Sequence, residues 1–339
     1  MIKFNRLFRL CMVGTALICL LSACGNATQE AAAISPAGAQ SDQQNSGKEP
    51  VVIENMGEKL VFTEPPQRAV TLNQHATEVM LALGLEDSMA GTAYLDVQIL
   101  PEYKEQYDKI PVLSEQYPSQ EVFFAANPDF AYAGWKSAFT EKTLGSRAEL
   151  AGQGVQTYVQ ESSNKAGPSL DDVYQDILNI GRIFQVEERA QALVNDMKQE
   201  VGQIQDSIGT VSEPVKVFVY DSGEDTAFTA ANTYLTSLIN MAGGKNIFDD
   251  IEKGWATVSW EEVVNRNPDV IVIVDYGDTS VEQKKALLLS NAALADVAAI
   301  KDKRFVVMPL SAAAEGVRAP MALRTLAGGF YPDQAADMK

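Results

Sequence analysis

The chain alternates short apolar runs with stretches whose apolar positions recur every three or four residues, and it does so twice. In the first half, Arg68-Ala69-Val70-Thr71-Leu72 is too short for a helix and reads as a buried strand. A helix follows from about Ala76, with Val79, Met80 and Leu83 at helical spacing and Gly84 placed to close it. Residues 129–133, opened by Asn127-Pro128, predict a second strand, and a helix over 139–153 leads to a third at 155–159. Strands alternating with helices imply parallel sheets with helical crossovers.

The middle of the chain changes rhythm. Ser169, with Asp172 three residues on, has the form of a helix cap, and Leu170, Val173, Ile177, Ile180 and Phe184 continue the apolar face. From 187 to 208, Ala190, Leu193, Val194, Met197, Val201, Ile204 and Ile208 mark one amphipathic helix. At 1.5 Å per residue it spans roughly 33 Å, enough to act as a strut between two lobes. After Pro214 the first rhythm resumes, with strands at 216–220, 270–274 and 304–308 and helices at 234–242 and 320–328. The expected division is an α/β lobe over 51–168, a helical connector over 169–213 and a second α/β lobe over 214–339.

A local repeat supports two related lobes. Ser119-Gln120-Glu121 and Ser259-Trp260-Glu261 each open a short amphipathic segment that ends in Asn-Pro-Asp (127–129 and 267–269) and runs into an apolar strand. Serine caps the helix, proline stops it and the strand enters the sheet. The whole unit at identical spacing on either side of the strut points to duplication.

The first residues have a different character. Lys3, Arg6 and Arg9 precede an apolar run over 10–21, too short to span a bilayer as a helix, so 1–23 reads as a cleaved signal. The run closes in Leu21-Ser22-Ala23-Cys24-Gly25, which looks like the lipobox of bacterial lipoproteins, with Cys24 as the lipidated residue. The Ala-, Gln- and Ser-rich stretch 24–50 cannot bury enough apolar surface to order itself and reads as a tether. Cys11 and Cys19 leave with the signal, so the mature body has no thiol chemistry and no disulfide. The formal charge is −18; losing three basic and no acidic residues leaves 24 against 45, or −21, which repels nucleic acid.

In this order, several motifs resemble the substrate-binding proteins of iron-siderophore, cobalamin and haem uptake transporters. They are Thr77-Glu78 with Ala82-Leu83-Gly84-Leu85, Asn127-Pro128-Asp129, Gly243-Gly244-Lys245-Asn246-Ile247, Val258-Ser259-Trp260-Glu261 and Asn267-Pro268-Asp269. The resemblance implies two α/β lobes joined by a long helix, an extracytoplasmic monomer held to the membrane by lipid alone, and a permease dimer with its ATPase as partner. A ferric siderophore is the leading expectation for the ligand, with cobalamin or haem as alternatives. It further implies that one glutamate per lobe docks on the permease, which by spacing falls on Glu121 and Glu261.

Ligands of open parallel sheets lie beyond the carboxyl ends of the strands. That rule selects His75, Tyr94, Trp135, Lys136 and Glu161 in the first lobe, and Tyr220, Asp221, Trp255, Tyr276 and Arg318 in the second. Aromatic faces suit flat chelates, and Lys136 and Arg318 are placed to pair with an anionic one. His75 has the alternative of capping its helix, and Tyr94 and Tyr220 of filling the core. Tyrosine or histidine can ligate haem iron, which keeps haem open. A lone histidine among scattered carboxylates does not supply the ligand density that a bare metal ion needs. Motifs of serine hydrolases, dinucleotide or phosphate binding and zinc peptidases are absent, so no enzyme is expected; a carboxylate-based one on the same scaffold is the remaining alternative.

Overall fold

A computed structural model describes residues 49–334; the expected signal, Cys24 and nearly all of the tether lie outside the described residues. The first described elements are an antiparallel hairpin, β1 (Val51–Asn55) and β2 (Glu58–Phe62). There follow β3 (Ala69–Leu72), α1 (Gln74–Ala82), β4 (Met89–Ala93), β5 (Val112–Ser114), α2 (Gln120–Ala125), β6 (Phe130–Ala133), α3 (Arg147–Gly152) and β7 (Gln156–Val159). Strands β3 to β7 form a wholly parallel sheet in the order β5-β4-β3-β6-β7, with Thr71 of the central strand opposite Thr92 and Tyr132. The hydroxyls of Thr71, Thr77 and Thr92 are linked in series at 2.9 Å, which fixes α1 against the sheet and so aims its first turn.

The connector is α4 (Leu170–Ile183) followed by α5 (Glu187–Ile208). Ser169 and Asp172 form the expected capping box. The 22-residue α5 buries Ala190, Val194, Met197, Val201, Ile204 and Ile208, spaced by fours and threes, against α4 and the last helix. The second sheet, order β10-β8-β12-β13, is also parallel and comes from β8 (Val215–Tyr220), β10 (Gly244–Asn246), β12 (Val270–Asp275) and β13 (Phe305–Pro309). Between these run an antiparallel pair, β9 (Ala227–Ala230) with β11 (Trp255–Val258), and the helices α6 (Tyr234–Met241), α7 (Trp260–Arg266), α8 (Val281–Ser290) and α9 (Ala319–Phe330). Both sheets lie within one compact unit.

The repeat has one structure in both lobes. Ser119 Oγ accepts from the Val122 amide at 3.3 Å, and Ser259 Oγ from the Glu262 amide at 3.2 Å. Asn127 (φ 48°) and Asn267 (φ 45°) both take the left-handed conformation that ends the helix. The following aspartate then braces the neighbouring strand: Asp129 accepts from the amides of Gln67 and Arg68 beside β3, and Asp269 from that of Lys216 in β8.

The helix expected over 139–153 is shorter than its pattern suggested: only Arg147–Gly152 is α-helical. The Thr143 hydroxyl donates to the Ala138 carbonyl at 2.8 Å, with those of Ser137 and Thr140 also within reach, and Gly145 sits at φ 93°, so the chain turns before Ser146 can cap. The two antiparallel pairs, β4, β5 and β10 were not anticipated; of these the hairpin alternates, burying Ile53 and Asn55 on β1 and Leu60 and Phe62 on β2.

A methyl group on Gly181 of α4 would stand 2.3 Å from Ala190 Cβ of α5. Gly181→Ala is therefore expected to lower stability by about 1–3 kcal/mol, because overpacking outweighs the helix propensity gained. Urea unfolding reads this directly; an unchanged or raised midpoint would show that the two helices are not packed that closely.

Candidate functional site

The carboxyl ends of β3, β4 and β6 are tied together by the backbone: the Asn73 amide donates to Ala93 and the Gly134 amide to Leu72, both at 3.0 Å. Asn73, held at φ 83°, accepts from the Tyr117 hydroxyl at 3.2 Å and the Trp135 amide at 3.3 Å. One residue pair on, His75 lies buried with its ring against Gly134, where a Cβ would stand 2.1 Å from Nε2. Edge-to-face contacts run from His75 to Trp135 (5.0 Å), from Trp135 to Tyr94 (6.4 Å) and from Tyr94 to Tyr117 (4.8 Å). The first lobe thus presents an aromatic wall.

The opposing wall comes from the second lobe. Trp255 of β11 is 38% exposed and stacks on Phe228 of β9 with centroids 5.6 Å apart and planes at 15°. Between the walls is a cavity of about 280 Å³, lined among others by Trp135, Ser163 and Lys165 on one side and by Asn232, Trp255 and Glu315 on the other. The loop after β7 closes it: the Gly167 amide donates to the Asn232 carbonyl, and Gln160 Nε2 to that of Glu315. Lys165 is paired with Asp172 at 2.7 Å.

Ser163 Oγ lies 3.3 Å from His75 Nε2 and bonds the Glu315 carboxyl. Burial pushes His75 down to about 4 and Glu315 up to about 7, the latter against the lowering effect of its hydrogen bonds. At neutral pH the histidine is uncharged, so the lower part of the site holds little net charge.

Other expected positions lie elsewhere. Arg318 does not face the cleft as a free cation: it is 7% exposed and holds Glu78 of α1 with two hydrogen bonds. Tyr220 packs in the second-lobe core beside Phe218 and Trp260, and its hydroxyl donates to the Gly223 carbonyl. Glu161 turns towards the hairpin, where it accepts from the Met56 amide at 2.5 Å. Asp221 and Tyr276 meet each other, with 2.7 Å between hydroxyl and carboxylate, beside the buried Lys284. Burial lowers Lys284, whose ammonium donates to the Val274 carbonyl and lies 4.7 Å from the Tyr276 ring. Lys136 is exposed at the rim, anchored by its amide to Asn164. Ser163, Lys165 and Glu315 were missed, although the first two follow the selected Glu161 closely and Glu315 stands three residues before the selected Arg318. Among the described residues no group of three or more His, Cys, Asp or Glu could hold a metal ion, and no helix is long and apolar enough to cross a membrane.

Two parallel-sheet lobes, a long connecting helix and a cavity at the strand ends define a two-lobed substrate-binding protein. Residues 70–312 match the family described as periplasmic binding protein, and the chain belongs to it. It is 25% identical over 321 residues to the uncharacterized ABC transporter substrate-binding lipoprotein YvrC of Bacillus subtilis, across 93% of this chain and 94% of that one. It is 28% identical to the vitamin B12-binding protein of Pectobacterium atrosepticum, over 63% of this chain and 73% of the relative. A periplasmic binding protein from Veillonella parvula superposes with a TM-score of 0.77 at 34% identity, covering 84% of this chain and 98% of its own. The chain is accordingly a substrate-binding component of ABC transporter type.

The two shifted groups act oppositely on stability. Between pH 6.5 and 4 the unfolded chain takes up a proton that native His75 refuses, so acidification through that window destabilises. Between pH 4.5 and 7 native Glu315 keeps a proton that the unfolded chain has lost, so its contribution disappears as pH rises through 7. Glu315→Gln should abolish that second loss, so the unfolding midpoint climbs from pH 5 to 6.5 on the His75 contribution alone and no longer falls between 6.5 and 7; an unaltered pH profile would place the carboxyl in water.

Proposed function

We propose that this chain captures a metal chelate of low net charge between its lobes and presents it to a permease dimer and its ATPase. The observation that carries this reading is the composition of the cavity: one tryptophan from each lobe, while its lysine is already paired. Arg318, which would have drawn an anionic chelate, is engaged by Glu78. A ferric trihydroxamate is uncharged around its iron, whereas a tricatecholate complex is a trianion that would meet Glu315 and no free arginine. A siderophore of the first kind therefore fits best. Cobalamin, which in its cyano form carries no net charge, is the second reading, favoured by the similarity to a vitamin B12-binding protein. Haem fits less well, since the His75 ring is enclosed and not presented to the cavity.

The cavity lies at the small end of ligand sites, so a complete chelate requires the lobes to move apart before they close on it. Glu121 and Glu261 are exposed at the second position of α2 and α7, matched sites for docking on a two-fold permease. Beside Glu261, Glu262 is held by Arg266 at 2.8 Å, which leaves Glu261 as the carboxylate available to a partner. A lipid on Cys24 would keep this monomer at the extracytoplasmic membrane surface.

Calorimetric titration with a ferric trihydroxamate, a ferric tricatecholate, cyanocobalamin and haemin tests the ligand class. The first or third should bind, and Trp135→Ala or Trp255→Ala should weaken it by about 1–3 kcal/mol. Preference for the tricatecholate, or affinity untouched in both folded variants, would contradict the assignment. For docking, the double variant Glu121→Ala/Glu261→Ala should keep ligand affinity and shift stability by no more than about 0.5 kcal/mol while cellular uptake falls. Normal uptake would remove these residues from the permease contact.

A further inference from the structure

Residues 315–318 form a short plug from the second lobe that enters the first. The Glu315 carbonyl accepts from Gln160, and the Cα of Gly316 lies so near His75 that an added Cβ would be 2.9 Å from His75 Cβ. Arg318 then reaches the carboxylate of Glu78 through Nε (2.7 Å) and Nη2 (2.5 Å), and Nη2 also donates to the Gln98 carbonyl at 3.0 Å. Its remaining bond, from Nη1 to Ser311 Oγ at 3.2 Å, is within its own lobe. Glu78 is 1% exposed and also accepts from Gln74 and from the Leu100 amide. Gln74 in turn holds the amides of Asp96 and Val97, just past Tyr94 of the aromatic wall.

We infer that Arg318 and Glu78 are positioning residues: a permanent pin that fixes the two lobes to each other and sets the spacing of the two cavity walls. Separating a buried, forked ion pair strands two charges away from water, which is far costlier than parting surface contacts. The lobes therefore open by turning about this point, with α5 as the second constraint, and never by coming apart at it. Two distances follow from the pin. One is between Trp135 and Trp255, which determines how well a ligand is gripped; the other is between Glu121 and Glu261, which must match the permease. The second consequence rests on the docking role proposed above, but the pin itself does not.

The test needs no ligand. Nitroxide labels on Lys142→Cys and Asp278→Cys, exposed positions one on each lobe, report the interlobe distance by pulsed dipolar spectroscopy in a chain whose native cysteines are serine. The parent should give one narrow distribution. Glu78→Gln keeps the shape but removes the charge, and Arg318→Lys keeps the charge but removes the fork; each should broaden the distribution towards longer distances. Gly316→Ala, which leaves the ion pair's own atoms intact and wedges His75 away, should do the same. It decides the matter if the charge variants fail to fold. A narrow, unshifted distribution in folded variants overturns the pin, whatever the ligand proves to be.

Discussion

A buried guanidinium must recover from protein the hydrogen bonds it gives up in water, and Arg318 finds three of its four across the gap between lobes. That demand organises much of what surrounds it. Glu78 must sit on the inner face of α1, and α1 must be seated on its sheet, which the Thr71–Thr77–Thr92 hydroxyl series accomplishes. The same helix carries His75 at its start, so the residue that closes the lower part of the site and the residue that anchors the other lobe are set by one element. The charge thereby held out of the cavity is as important as the contact it makes.

Two aromatic surfaces with few available charges are left to face each other. On the proposed reading, selectivity comes from what the site lacks: a polyanion entering it would lose hydration and find only Lys136 at the rim, while a compact neutral chelate loses little. His75 and Glu315 reinforce this, since burial keeps the first uncharged and the second half-protonated near neutral pH. The strongly acidic exterior, −18 over the whole chain, sits outside this nearly uncharged interior and is where matched carboxylates can address a basic partner.

The sequence displayed the parts of this fold that depend on local physics. The α5 periodicity, the Ser169–Asp172 capping box and the doubled Asn-Pro-Asp unit are each written within a few turns of chain, and each has the structure its residues imply. Positions immediately after strands, such as Trp135, could be assigned to a cavity wall for the same reason. Pairings across the fold were not legible. Arg318 and Glu78 are 240 residues apart, and a lone arginine before a helix looks like a free cation until its partner is seen. Tyr220 at a strand end looked available, yet the β9–β11 pair, which has no clear alternation, covers that end and leaves the ring in the core. Gly145 and Thr143 shortened a helix whose apolar spacing looked continuous.

The central claim is that the cleft retains a metal chelate of low net charge without transforming it. The most direct measurement is to isolate the protein from the membranes of its own cells and record the visible spectrum, mass and metal content of what accompanies it. The account predicts one equivalent of an intact iron or cobalt compound with net charge near zero. A metal-free solute, a polyanionic chelate or a cleaved product in the cleft would contradict it.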